Sequence, residues 1–193
     1  MSTALWRGAG DPRGAHALCE AVSSARRYAH SRGVAQQAAR AARARALDPD
    51  ARRRLLTAAW VHDIGYALPG SFHARDGARA LRRAGHEDVA RMVAHHSNAA
   101  ARAHAAGLAP IDSEFPRPAG RDAALLALLD VADLLTGPDG ERVDPAGRLA
   151  GLVERRGPRS PSVRALVDNV NRLGADPVTR SLIEQLSAPG VSA

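Results

Sequence analysis

The chain has 193 residues, enough for one domain with a continuous core and no help from disulfides or a structural metal. Hydrophobic residues make up 45% and charged residues 24%, which excludes a fully disordered chain; aromatics at 3% against 42 alanines argue for helices over a β-sandwich or barrel. The net charge is +7 and all 27 basic residues are arginine, but they are scattered over helices without interleaved aromatics, which argues against nucleic acid as a partner. In chain order, residues 1–13 read as an irregular lead-in containing Gly8, Gly10 and Pro12. Helices are expected over 15–28 and 30–47, and Asp48-Pro49 opens the next, which ends near Gly65. Two more run over 72–84 and 87–106, closed by Gly85 and Gly107. A proline-rich loop over 108–120 precedes the most apolar segment, 121–136, which stops at Gly137-Pro138-Asp139-Gly140. Helices over 145–156, 161–173 and 177–187 follow, and 189–193 reads as a loose tail.

The single cysteine, Cys19, excludes a disulfide framework and a cysteine zinc site. No run of about 18 uncharged apolar residues exists, so no membrane span is expected. Residues 1–13 lack the cationic start and apolar run of a secretory signal, and a soluble cytoplasmic protein is the expectation. Nothing in the sequence sets an oligomeric state.

Two segments carry charge where apolar pattern calls for burial. Leu55 to Gly65 is apolar nearly all round, yet ends on His62-Asp63. Leu125 to Leu135 is apolar too, and holds Asp130 and Asp133 one turn apart on one face. A buried carboxylate without a partner costs several kcal/mol, so each must meet an arginine or a metal. His30, His62, His73, His95 and His96 stand near helix ends or on partly apolar faces. Imidazole with carboxylate is a donor set for divalent transition metals. His16, His86 and His104 fall outside this pattern and read as exposed.

The order His30, then His62-Asp63, then Asp133 resembles the H…HD…D signature of the HD-domain superfamily of metal-dependent phosphohydrolases. The contexts Ala29-His30-Ser31-Arg32-Gly33, Val61-His62-Asp63-Ile64-Gly65-Tyr66 and Val131-Ala132-Asp133-Leu134-Leu135 carry the likeness over residues 26 to 136. The resemblance implies an all-α, single helical-bundle domain over 14–137, with additional C-terminal helices over 138–188 packed on the same domain. It implies that His30, His62, Asp63 and Asp133 bind a divalent metal, and that His73 and His96 serve a second ion, with His95 an open alternative to His96. One or two ions of Mn, Fe, Co, Ni, Zn or Mg are the implied cofactor. His62 and Asp63 then act at the reacting centre, with Arg75 and Arg142 the arginines nearest in sequence for substrate phosphate, and Asp130 orienting a ligand.

The implied function is hydrolysis of a phosphomonoester or phosphodiester, on a nucleotide or other small phosphorylated molecule, by a metal-activated water. Two alternatives stand beside it: a di-iron HD-type oxygenase that cleaves a C–P or C–C bond, and a non-catalytic metal-binding regulatory module. The sequence departs from several relatives in having no acid at Ile64, Gly65, Tyr66 or Ala67, where HD nucleotide hydrolases carry one. Gly137 stands where guanosine-tetraphosphate hydrolases keep an Asn, which argues against that substrate class; the downstream context does not match cyclic-di-guanylate phosphodiesterases either.

Overall fold

Short acidic and hydroxyl side chains decide where most of the helices begin. A computed structural model describes residues 3–188, so the expected loose tail at 189–193 lies outside the described residues. Asp11 accepts from the backbone amides that open α2 (Pro12–Val22), Ser24 caps α3 (Ala25–Ala44), and Asp48 caps α4 (Pro49–Val61). Asp144, Ser160 and Asp176 do the same for α9 (Pro145–Arg156), α10 (Pro161–Ala175) and α11 (Pro177–Ser187), each followed by a proline that needs no amide partner there. Between these stand α5 (His73–Arg83), α6 (Glu87–His95), α7 (Ala99–Ala105) and α8 (Gly120–Leu134), with α1 (Thr3–Gly8) at the start. The fold is all-α: an isolated bridge between Thr136 and Arg142 is the nearest thing to β structure among the described residues.

Four expectations need correction. The lead-in is not irregular throughout, because Thr3–Gly8 is helical. The break expected near residue 29 lies instead at Ser23-Ser24, where Ser24 caps; α3 therefore runs unbroken through His30. The helix expected over 87–106 is cut at His96–Asn98, where Ser97 and Asn98 take left-handed backbone at φ 48° and 57°. His16 and His86 are half-buried rather than exposed, bonded to the Tyr28 hydroxyl and the Trp6 carbonyl; His104 is exposed.

α3, α4 and α8 pack on one another, α6 lies against α4 and α8, α2 on α4, and α5 on α6. α3 presents Val34, Ala38 and Ala41 to this core, and α8 adds Leu125, Leu129 and Leu134. Each fully buried leucine contributes about 1.5–3 kcal/mol. α10 touches α7 and α8, α11 touches α3 and α8, and Leu173, Leu182 and Leu186 join the same core.

Gly33 shows how tightly α3 meets the turn after α8. A Cβ there would collide with the Gly140 carbonyl oxygen and the Thr136 side chain. Mid-helix, alanine is ordinarily better than glycine by up to about 1 kcal/mol. Here the overpacking is expected to win, so Gly33→Ala lowers stability by about 1–3 kcal/mol in urea unfolding. A gain in stability would contradict the contact.

Candidate metal centre

His62 ends α4 and Asp63 follows with φ −100° and ψ 9°, so the chain leaves the helix as both side chains turn inward. His30 reaches the same point from α3, His73 from the first residue of α5, His96 from the kink after α6, and Asp133 from the last turn of α8. They form two buried groups, His30 with His62 and Asp133, and Asp63 with His73 and His96; within each, the ligand atoms lie within 4.8 Å of one another. Asp63 divides its carboxylate between them. Its Oδ2 is 3.9 Å from His30 Nε2 and 3.7 Å from His62 Nε2, while Oδ1 is 3.4 Å from His73 Nε2 and 3.6 Å from His96 Nε2.

Backbone carbonyls set the imidazole tautomers. Nδ1 of His30, His62 and His96 donates to the carbonyls of Gly137, Ala59 and Val93 at 2.9, 2.9 and 2.6 Å. Nε2 of His62 and of His96 therefore presents a lone pair to the centre. Burial would lower the His30 imidazole, but its Nε2 lies 3.1 Å from Asp133 Oδ1 and that carboxylate raises it, so His30 carries a proton there that an ion would displace. His62 Nε2 and His73 Nε2 are buried without a hydrogen-bond partner, and buried polar atoms rarely stay so without a ligand to meet them. Burial holds the His62 imidazole down to about 4 and His73 well below its usual value, so both are neutral at pH 7. Burial alone would raise Asp63, but His62, His96 and His73 hold it well below the usual carboxylate range. Asp133 is held low, against burial, by its bond from His30 and the charge of Arg148. Four imidazoles with two ionised carboxylates are a donor set that fits two divalent ions.

A sequence model of the HD domain family matches residues 27–137, the stretch that carries helices α3 to α8 and all six of these side chains. The chain belongs to the HD domain family. No curated protein and no solved structure gives a significant match. HD domains bind divalent metals and belong to a superfamily of metal-dependent phosphohydrolases, and this HD domain holds His/Asp clusters able to receive such ions.

Around the six, this HD domain places groups that orient them. Arg27 Nη1 donates to Asp63 Oδ2 at 2.7 Å and lies 3.8 Å from the centre of the Tyr66 ring, which stacks on His73 at 4.0 Å. Arg148 donates to Asp133 Oδ1 at 3.3 Å, and the Ser97 hydroxyl donates to Asp133 Oδ2. The Ser97 amide donates to Asp130 at 2.6 Å, and Asp130 accepts from Arg172 at 2.5 Å. Asp130 thus pins the left-handed kink that carries His96. The kink parts the two neighbouring histidines: His96 faces the centre, and His95 Nε2 donates to the Phe115 carbonyl at 2.8 Å.

A cavity of about 450 Å³ opens over the centre, with Arg26, Arg27, Arg102, Arg148, Arg155 and Arg156 in its wall. Neither arginine expected to hold phosphate lines it. Arg75 donates to the Ala109 carbonyl and sits 3.9 Å from Glu114, and Arg142 donates to the Ala188 carbonyl at 2.5 Å. Closeness in sequence did not become closeness in space. Arg27 precedes His30 by three residues on one helix, a same-face spacing that marks it in sequence. Arg102, Arg148 and Ser97 carry no such local signal.

Asp133 belongs to the ligand group, whereas Asp130 reaches it only through Ser97. Asp133→Asn is expected to collapse metal affinity, and Asp130→Asn to weaken it by roughly 10–100-fold. Competition with a chelator measures both. The reverse order would place the wrong aspartate at the centre.

Proposed function

We propose that the protein is a phosphohydrolase that uses two divalent ions to cleave a small phosphomonoester or phosphodiester. One ion is assigned to His30, His62 and Asp133, the other to His73 and His96, with Asp63 facing both. The observation that carries this reading is the division of the Asp63 oxygens between two histidine-containing groups. When bound, such a pair supplies a water of lowered pKa and polarises the phosphoryl oxygens.

The chain's own residues set the rest. Arg27 fixes the rotation of the Asp63 carboxylate through a charge-assisted bond of 2.7 Å. Arg148 and Arg102 stand in the cavity wall where a phosphoryl group would enter, and their planar forks match its equatorial oxygens. The buried setting strengthens those contacts relative to water. With no acid at positions 64–67, that turn has no carboxyl group to protonate the leaving oxygen, and water entering the open cavity is the proton donor.

The protein loaded in turn with Mn, Co, Ni, Fe, Zn or Mg, and offered a panel of phosphate esters, tests this reading. Phosphate release with at least one metal, lost on chelation, is the expected result. Two irons per chain, with no phosphate released from the esters but O₂ consumed when an organophosphonate or polyol is offered, would establish the oxygenase instead. No turnover with any metal would leave a binding module.

A further inference from the structure

The wall that α9 gives to the cavity is a single helical stripe. Arg148, Leu152, Arg155 and Arg156 all line it, at spacings of four, seven and eight residues, which return to one face of a helix. The inner end is fixed, since Arg148 donates to Asp133 at the metal centre. Seven residues further, at 1.5 Å each, Arg155 stands ~10 Å along the axis, toward the mouth. The rest of this wall is Leu152 on α9 with Ala165 and Leu166 on α10, beside the small polar side chains of Ser162 and Asn169.

Each end carries arginines that no carboxylate of the described residues pairs. Arg155 and Arg156 make no ion pair with a carboxylate among the described residues. Partial burial, then the neighbouring charges of Arg148 and Arg26, hold Arg155 below its usual value against the smaller opposing pull of Glu141 and Glu154. At the inner end, Arg102 keeps two buried guanidinium nitrogens without any acceptor. Arg102 at the inner end, and Arg155 and Arg156 at the outer end, are thus guanidinium groups without a carboxylate bonded to them, able to receive an anion.

A nucleobase is poorly served by this wall. Tyr66 is its one Phe, Tyr or Trp side chain, and the ring is already held between His73 and Arg27. No aromatic face is left for a base to stack on, a contact otherwise worth about 1–3 kcal/mol.

We propose that the cavity takes a small elongated molecule with two anionic ends: the reacting phosphoryl group lies by Arg102 and Arg148, a second anion lies between Arg155 and Arg156, and an aliphatic or sugar segment spans Leu152 and Leu166. This rests on the phosphohydrolase reading only for the identity of the inner group.

Three probes separate the parts: pentylphosphonate, with one anionic end; 6-phosphonohexanoate, with a distal carboxylate; and 1,5-pentanediphosphonate, with a distal phosphonate. Calorimetric titration of metal-loaded and chelator-treated protein measures their affinities. At least one two-ended probe is expected to bind at least tenfold tighter than pentylphosphonate, and the tighter of the two tells a carboxylate from a phosphate. In Arg155→Met/Arg156→Met that advantage is lost while pentylphosphonate affinity stays within twofold. Arg43→Met/Arg83→Met removes the same charge from exposed sites outside the cavity and is expected to keep the advantage. Equal affinities in the unaltered protein, an advantage that survives in the Arg155/Arg156 variant, or one lost equally in the surface variant would each overturn the proposal. Phosphate release without any distal-anion advantage would keep the hydrolase reading and reject this one. An advantage without hydrolysis would do the reverse.

Discussion

Asp63→Ala is expected to empty both halves of the centre, taking metal content from about two ions per chain to near zero and abolishing phosphate release. The reason is geometric. Its Oδ2 faces His30 and His62, and its Oδ1 faces His73 and His96, so one substitution removes a donor from each group. What remains is four imidazoles and Asp133, one negative charge for two divalent ions. The helices themselves should persist, because Asp63 lies outside α4 and makes no side-chain cap. Its partner Arg27 is partly exposed and can turn to water. Elemental analysis with far-UV circular dichroism checks both statements. Full metal occupancy in a folded Asp63→Ala protein would refute the assignment.

His73→Ala separates one ion from two. His73 belongs only to the group with Asp63 and His96, whereas His30, His62 and Asp133 make a set of their own. The variant is expected to hold about one ion per chain in place of two, and phosphate release to fall by about 10²–10³-fold, as when a single charge-stabilising group is removed from an active site. The residue opens α5, and Phe72 before it provides no side-chain cap, so the helix start does not depend on the imidazole. Tyr66 loses its stacking partner, a small change at a half-exposed ring. An unaltered protein with one ion, unchanged in His73→Ala, would rule out the dinuclear reading.

Much of the centre was legible in the sequence because its residues break rules the rest of the chain obeys. An apolar helix that ends on His62-Asp63, and another that buries Asp133, announce charges needing partners. The six side chains named on that basis and on family resemblance lie together in two groups. Helix starts were equally legible at Asp48, Asp144, Ser160 and Asp176, each before a proline, while the same pattern at Asp11-Pro12 was read as part of the irregular lead-in although it opens α2. What sequence could not supply are features made by tertiary packing. The kink that points His96 inward uses Ser97 and Asn98 in left-handed backbone, held by Asp130 from another helix, and no glycine advertises it. The break at Ser23-Ser24 has no glycine or proline either. Arg148 and Arg102 reach the cavity from helices outside the signature, while Arg75 and Arg142, nearer in sequence, are spent on backbone carbonyls.

The central claim is that two ions share Asp63. Crystals grown with Mn²⁺ and measured at the manganese absorption edge test it most directly. Two anomalous peaks about 3.5–4 Å apart, one beside His30, His62 and Asp133 and the other beside His73 and His96 with the Asp63 carboxylate between, are the predicted result. A single peak, or a pair of peaks that Asp63 does not touch, would contradict it.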